Sequence, residues 1–225
     1  MNVYTTEEEQ LETLKRWWKE NGTSIIVGII LAVAAVFGWR AWQSHQYTQG
    51  ELTSGLYSDL IDAVQVSQNN GSEESLATVA HLAGRLKTEF DSNVYGRYAA
   101  LLLAKQAVEN NELEAAQQEL QWVLDRTDAR DSLRAIVELR MARLLLAMGG
   151  DDNARKALAL LQASDVLGYK ASRAEVRGDL YLSLGQLDEA RGAYSEALAE
   201  VERLGASKPL LQMKLDDLAE AESKE

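Results

Sequence analysis

The sequence predicts an all-α protein in which a single N-terminal transmembrane helix precedes a solenoid of helical hairpins. Three observations predict this class. One long uncharged run lies near the N-terminus, helix-forming segments alternate with short polar turns, and period-two Val/Ile/Thr runs are absent. We therefore divide the chain into an N-terminal segment (1–20), a transmembrane helix (21–42) and a helical domain (43–225) that ends in a capping helix.

The uncharged run comprises nineteen residues, 21–39, with Glu20 and Arg40 directly outside it. As a helix it would extend about 28 Å, close to the roughly 30 Å hydrocarbon thickness of a bilayer. Tryptophans stand on both sides of the run, at 17 and 18 and again at 39 and 42, as in the aromatic belts of membrane helices. These features favour a helix that crosses the bilayer.

Two other interpretations of the run are a cleaved signal peptide and a buried core helix. The triplet at 32–34, Ala-Val-Ala, resembles a small-residue cleavage site. However, the apolar run continues past this triplet to Trp39, and no polar residue interrupts it after Ser24, as a core helix would require. An uncleaved membrane anchor is therefore the prediction.

Basic residues near the run predict its orientation. Lys15, Arg16 and Lys19 precede it, whereas only Arg40 follows closely. By the positive-inside rule, residues 1–20 stay in the cytoplasm and the domain crosses the membrane. In a bacterium, this is a single-pass inner-membrane protein with a periplasmic domain.

One face of the predicted span carries small residues, Gly28, Ala32 and Ala35, at four- and three-residue spacing. Small side chains allow another helix to approach closely. This face is a candidate contact with a membrane partner.

Composition excludes several classes of function. The chain has no cysteine, and beyond residue 40 it has 19 Lys/Arg against 30 Asp/Glu, so a basic nucleic-acid footprint is not expected. Its two histidines, His45 and His81, are 36 residues apart, and no phosphate loop, nucleophile elbow or zinc motif is present. We expect no enzyme activity, no catalytic residue, no cofactor and no metal.

Past the anchor, polar turns separate segments of helical length. The turns include Asn-Asn-Gly-Ser at 69–72, Asn-Asn at 110–111 and Gly-Gly at 149–150. Such short connections require neighbouring helices to pack antiparallel. The predicted helices are 51–68, 73–89, 94–109, 112–126, 132–148, 151–163, 171–184, 187–204 and 209–221.

The segment SRAEVRGDLYLSLGQLDEARGAYSEALAEVER, residues 172–203, resembles one tetratricopeptide repeat, a helix-turn-helix unit of 34 residues. Small residues stand where the two helix backbones meet, and aromatic residues fill the space around them. The proline usual after the second helix is missing, and Ala174 occupies the tryptophan position. The residues that define the repeat are Gly178, Tyr181, Gly185, Ala190, Tyr194 and Ala197.

Earlier copies of the repeat are weaker. The turn at 112–116 matches the one that opens the second helix of the clear repeat, which makes Ala116 the counterpart of Ala190. The copy between them has its small residue at Ala154 or Ala157, and the sequence does not decide between these two. A degenerate first copy pairs 51–68 with 73–89, and Pro209 fits the first turn of the capping helix.

Tetratricopeptide arrays bind partners in the groove along their first helices. Carried over onto this sequence, the groove positions offer a mixture of apolar and charged side chains that suits a protein surface or an unfolded segment. The candidate groove residues are Tyr98, Leu101, Lys105 and Val108, then Ile136, Leu139 and Arg143, and finally Glu175, Asp179 and Leu182.

Nearly the whole chain resembles the YfgM family of ancillary subunits of the bacterial Sec translocon. The resemblance is sharpest in LKRWWKENG, the span, GWRAWQSHQ, NNELEAAQQELQ and the repeat from Gly178 to Leu198. It implies an inner-membrane protein that associates with the SecY–SecE–SecG channel and with the periplasmic chaperone PpiD. The implied role is to hand newly exported polypeptides to periplasmic folding factors.

A second hypothesis keeps the same fold and anchor but assigns the domain to another assembly of the cell envelope, as a tetratricopeptide scaffold. Groove residues cannot separate the two hypotheses, because both need a protein-binding surface.

Overall fold

The computed structural model describes residues 7–91, 93–129, 131–162 and 169–222. Residues 1–6 and 223–225, and position 163 at the end of the predicted sixth helix, lie outside this range. The all-α prediction is confirmed, since every regular element of the described chain is a helix. These helices are α1 (Glu7–Asn70), α2 (Glu73–Glu89), α3 (Val94–Glu109), α4 (Leu113–Leu124), α5 (Ser132–Met148), α6 (Asp151–Gln162), α7 (Lys170–Ser183), α8 (Leu187–Arg203) and α9 (Pro209–Glu222).

The chain divides into two compact units, Met1–Gly55 and Leu56–Glu225. Among the described helices, α1 is the one that is long and apolar enough to cross a membrane, and its apolar part lies in the first unit. Only 6% of its most apolar window is buried, and side chains such as Ile30, Leu31 and Phe37 are exposed. A core helix of a soluble protein would bury this face, so the core-helix interpretation does not fit.

Helix α1 has no break between the predicted span and the predicted helix at 51–68. The sequence in between lacks proline, and two threonine hydroxyls in and just after it bond to backbone carbonyls of the same helix. Thr48 donates to the Ser44 carbonyl at 3.1 Å and Thr53 to the Gln49 carbonyl at 2.5 Å. Gly50 costs about 1 kcal/mol relative to alanine, which is too little to end a helix by itself.

In the second unit, consecutive helices form the hairpins α3/α4, α5/α6 and α7/α8, and α9 packs on α8. Turn chemistry fixes where these helices begin and end. Asn93 and Asp131 cap α3 and α5 by accepting hydrogen bonds from backbone amides two residues on. Gly149, Gly150 and Gly185 have φ of 75°, 81° and 70°, values that favour glycine.

Repeat register is visible in the second helix of each hairpin. The fourth residue of that helix is Ala116 in α4, Ala154 in α6 and Ala190 in α8, and all three are buried. Ala157 is buried as well, so burial alone does not distinguish it from Ala154. Position within the helix does, and it makes Ala154 the counterpart of the other two.

The apolar core runs along the array in three clusters. The first joins Leu56 and Leu60 of α1 to residues of α2 and α3. The largest is formed by α3 to α7, and the last by α7, α8 and α9, with Leu211 and Leu218 contributed by α9. Each hairpin therefore buries its apolar face on its neighbours, as expected of a solenoid.

A buried ionic network joins α5 to α7. Glu138, which is 2% exposed, accepts from Arg134 Nε at 2.9 Å and from Arg173 Nη1 at 3.2 Å. Arg173 also donates to the Leu161 carbonyl at 2.6 Å, and Arg134 donates to the Thr127 carbonyl at 2.9 Å. A buried carboxylate is tolerated only when paired in this way, so the network fixes α7 against α5.

Candidate functional site

A cleft of about 730 Å³ lies within the second unit. Helices α3 and α5 provide its long walls, Leu113 and Leu120 of α4 add apolar surface, and Tyr57 of α1 closes part of it. The cleft is lined mostly by aliphatic and aromatic side chains. Such a surface can bind apolar groups of another molecule.

Most of the groove residues predicted on α3 and α5 line this cleft. They are Tyr98, Leu101, Lys105, Val108, Ile136 and Arg143. Leu139 is the exception: it is only 3% exposed and belongs to the large core cluster, while Arg140 and Leu144 line the cleft instead. Leu139 is thus placed in the core.

Three tyrosines meet at one part of the cleft. The ring centroids of Tyr57 and Tyr95 are 5.0 Å apart, those of Tyr57 and Tyr98 are 6.1 Å apart, and Tyr95 and Tyr98 meet edge to face at 6.4 Å. Burial, followed by the neighbouring Tyr98 and Tyr95, raises the pKa of Tyr57. Tyr57 is therefore uncharged at neutral pH, and the three rings form an aromatic surface suited to apolar contacts.

The charged groups of the cleft are predominantly basic. Lys105 pairs with Glu109 at 3.2 Å, one turn along α3, and both side chains are more than half exposed. Arg140 and Arg143, on α5, line the cleft and form no ion pair or hydrogen bond with another described residue. Two guanidinium groups are thus available to a ligand.

An ion pair fixes the starts of the two walls. Arg97, near the start of α3, donates to the carboxylate of Asp131 at 2.7 Å, and both side chains are largely buried. Asp131 also caps α5 through the Leu133 amide at 2.9 Å. This contact sets the spacing of the walls where they begin. Gly96 lets α3 approach the end of α2, because a Cβ there would meet the Leu86 and Phe90 carbonyls at 2.9 Å.

On α7 the predicted groove residues have a different environment. Glu175 is 7% exposed, and its carboxylate pairs with Lys208 and, at 3.3 Å, with Lys214. Lys214 also contacts Asp179 at 2.6 Å. The lysines come from α9 and the residue before it, so the C-terminal helix occupies this part of the array and neutralises its acids.

Tyr194 belongs to the same polar cluster. Its hydroxyl donates to Asp179 at 2.7 Å, and its ring is fully buried. Burial first, and then the hydrogen bond and charge of Asp179, raise the pKa of Tyr194. Burial opposes ionisation of Glu175, but the hydrogen bond and charge of Lys208, followed by Lys214, outweigh it and lower its pKa. The cluster is internally satisfied.

The repeat-defining residues lie at the α7/α8 contact. A Cβ at Gly178 would overlap the ring of Tyr194, so only glycine permits this approach. Ala190 and Ala197 are fully buried beside it, and Gly185 makes the turn that ends α7. The remaining member, Tyr181, packs against both the central and the C-terminal core clusters.

Gly28, Ala32 and Ala35 are exposed on α1 in the first unit, and a Cβ added at Gly28 would meet no atom within 4 Å. Among the described residues, this face is exposed, so another helix can pack against it.

Sequence reasoning missed three relevant residues: Arg140 in the cleft, and Lys208 and Lys214 at the cap. Arg140 was detectable, since it is four residues after Ile136 on the same helical face. The lysines gave no such signal, because they are separated from Glu175 by more than thirty residues.

Comparison with known proteins covers almost the full chain. Residues 15–220 match the family described as tetratricopeptide repeat-like domain. A protein of Escherichia coli named ancillary SecYEG translocon subunit is 35% identical over 97% of this chain and 100% of its own length. Proteins of the same name from Haemophilus influenzae and Neisseria gonorrhoeae are 33% and 25% identical over 96% and 97% of this chain, respectively, and over their full lengths.

No solved structure matches the chain. The match to the repeat-like domain family nevertheless agrees with the helical hairpins described above, and the relatives match over the apolar N-terminal helix as well as the hairpins. The chain therefore belongs to the YfgM family, the family of the proteins named ancillary SecYEG translocon subunit, and carries a tetratricopeptide repeat-like domain.

Proposed function

We propose that the protein is a non-catalytic, membrane-anchored adaptor that associates with the SecY–SecE–SecG channel and links exported chains to periplasmic chaperones. One observation carries the proposal: the relatives named for this channel match through the anchor as well as the repeat domain, over their whole lengths. A protein that shares only the repeat fold would match in the domain alone.

The anchor and the domain have separate tasks in this proposal. The span in α1 holds the protein in the inner membrane, with residues 1–20 in the cytoplasm and residues 43–225 in the periplasm. The basic residues Lys15, Arg16 and Lys19 support this orientation. The domain is then close to polypeptides as they leave the channel.

The α3/α5 cleft is the proposed binding surface of the domain. Its proposed partners are the periplasmic chaperone PpiD and exported polypeptides, through apolar segments of either. The exposed side chains of Tyr98 and Val108, which are 38% and 48% accessible, support binding here. Burying them against a partner removes apolar surface from water.

Co-purification tests the proposal. Native membranes are solubilised in mild detergent, and the tagged full-length chain is captured. We expect the three channel subunits and PpiD in the eluate. Recovery of cell-wall or division proteins without channel subunits would instead support a scaffold for another envelope assembly and contradict the proposal.

The matched control replaces residues 1–42 with a cleavable signal peptide. The domain should fold and reach the periplasm but lose most of its channel association, because the anchor no longer holds it beside the channel. Equal recovery with and without the anchor would contradict the anchor's role.

Orientation is testable by cysteine labelling because the chain has no cysteine of its own. Single variants Thr13→Cys and Met213→Cys place one thiol on each side of the span, Met213 being 59% exposed. A membrane-impermeant maleimide added to spheroplasts should label only the second. Labelling of only the first would reverse the proposed topology.

The small face of the span is the proposed contact with the membrane-embedded partner. Gly28→Leu should weaken channel recovery, because a bulky side chain separates two packed helices. Ile30→Phe, about 200° around the helix from Gly28, is the control and should have no effect. Equal recovery of the two variants would argue against this face.

A further inference from the structure

We infer that the α3/α5 cleft takes an apolar protein segment bearing carboxylates beside its apolar side chains, which Arg140 and Arg143 pair with. This inference deepens the proposed function, on which it rests for the class of partner, and assigns the chemistry by which the cleft selects among exported chains or chaperone segments.

The first argument is the unpaired positive charge of the cleft. Beyond residue 40 the chain has 30 acidic and 19 basic residues, so a cationic ligand has many competing surfaces. In the cleft the balance is reversed, because Glu109 is already paired with Lys105 and the two arginines have no described partner. A carboxylate that enters the cleft therefore meets unpaired positive charge, whereas the domain as a whole is acidic.

Along α5, the two arginines of the cleft wall lie between apolar residues. Leu133, Ile136, Arg140, Arg143 and Ala147 follow one another on the cleft wall. Arginine pairs with carboxylates through two parallel hydrogen bonds and also packs its flat face on apolar groups. A segment whose acidic residues are flanked by apolar ones matches this wall in both respects.

The third argument is the size of the site. The wall from position 133 to position 147 is about 21 Å long at 1.5 Å per residue. An extended segment of about six residues covers this length at roughly 3.3 Å per residue. The acidic end of the array is closed by Lys208 and Lys214, so the cleft is the section that remains free for such a segment.

The test uses the full chain in phosphatidylcholine nanodiscs and two fluorescent eight-residue peptides. One alternates Leu or Phe with Glu, and the other has Lys in place of each Glu. Fluorescence anisotropy, corrected for empty nanodiscs, measures both affinities. We expect the acidic peptide to bind more tightly by about fivefold or more, and the difference to shrink as salt rises from about 0.05 to 0.5 M.

The variants Arg143→Glu and Lys156→Glu change the net charge equally. Arg143 lines the cleft, whereas Lys156 is exposed on α6 and outside it. We expect the first to abolish the preference between peptides, because the introduced carboxylate offsets the charge of Arg140, and the second to retain it. Both positions are exposed, so both variants should fold, and their helical circular dichroism and melting curves check this.

Equal binding of the two peptides, or an unchanged preference in Arg143→Glu, would overturn the inference. So would light scattering that shows a dimer dissociated by Tyr98→Ala, since a second copy would then fill the cleft. These failures leave channel co-purification intact. A chain that selects the acidic peptide but never recovers the channel instead contradicts the proposed function and keeps the cleft chemistry.

Discussion

Helices α3, α5 and α7 are each the first helix of a hairpin. The faces of α3 and α5 that carry the predicted groove residues nevertheless differ from the corresponding face of α7. Between α3 and α5 lies an open cleft with apolar walls and two arginines without described partners. On α7 the corresponding acids, Glu175 and Asp179, are covered by lysines of the C-terminal cap. A carboxylate that already has its counter-ion offers a partner little, whereas an unpaired guanidinium beside apolar surface offers a binding site.

The comparison shows that repeat position alone does not define a binding surface. The same carry-over of groove positions placed both regions in one continuous groove. The cap makes them different, because its lysines pair with the acids of α7, whereas α3 and α5 keep an open cleft. We therefore expect changes at α7 to affect folding and changes at the cleft to affect binding.

The largest expected effect is at the α7/α8 contact. Gly178→Ala places a methyl group in the Tyr194 ring and should lower the free energy of unfolding by about 1 to 3 kcal/mol. Gly192→Ala, the same change on α8 with no atom within 4 Å, should raise it by about 0.5 to 1 kcal/mol. Urea denaturation of the full chain in micelles measures both changes in unfolding free energy. Effects of equal sign would contradict the difference between the tight contact at Gly178 and the open position at Gly192.

The next effect concerns the cap. Lys214→Ala removes contacts to Glu175 and Asp179 and should cost about 1 to 2 kcal/mol, with faster hydrogen exchange in α9 and unchanged exchange in α3 and α5. Lys156→Ala serves as the control and should stay within about 0.5 kcal/mol. Slow exchange of α9 in Lys214→Ala would show that apolar packing alone holds the cap.

A smaller effect is the pH dependence of the cap. The pKa of Glu175 is lowered in the folded protein, so its contribution to stability is present above the ordinary value of 4.5 and is lost as pH falls through the folded value. The difference in unfolding free energy between the wild type and Glu175→Gln should therefore shrink between about pH 6 and pH 3. A difference that is constant over this range would mean that ionisation of Glu175 does not hold the cap.

The smallest effect on stability is expected in the cleft. Val108→Asp alters an exposed side chain and should change the free energy of unfolding by no more than about 0.5 kcal/mol, while weakening recovery of partners. Val66→Asp, at a position 51% exposed and outside the cleft, should change neither. If Val108→Asp did not fold, the cleft would be needed for stability as α7 is, and the distinction between a folding region and a binding region would fail.

Most helix boundaries could be predicted from the sequence because each has a local cause. The predicted helix 73–89 coincides with α2, and 94–109 with α3, since Ser72 and Asn93 cap them and polar turns follow them. The continuity of α1 through position 50 was not predicted, because a glycine beside polar residues also marks many linkers. Turn propensity is weak enough for the surrounding helix to override it.

The candidate site was only partly predictable. The carry-over of groove positions placed Tyr98, Lys105 and Arg143 on one surface, but it also placed Leu139 there, although Leu139 belongs to the core. A carry-over by repeat position locates a residue to within about one position, or roughly 100° of helix rotation. A shift of one position is enough to move a side chain from the exposed face of a helix to its buried face.

The sequence by itself determined the helical class, the apolar span, most helix ends and the small residues at the α7/α8 contact, because these depend on neighbours within a few positions. The tertiary structure decided two other features: the burial of Glu138 with Arg173, and the covering of Glu175 by Lys208 and Lys214. Each of these features joins residues that are far apart along the chain, and only packing brings such residues together.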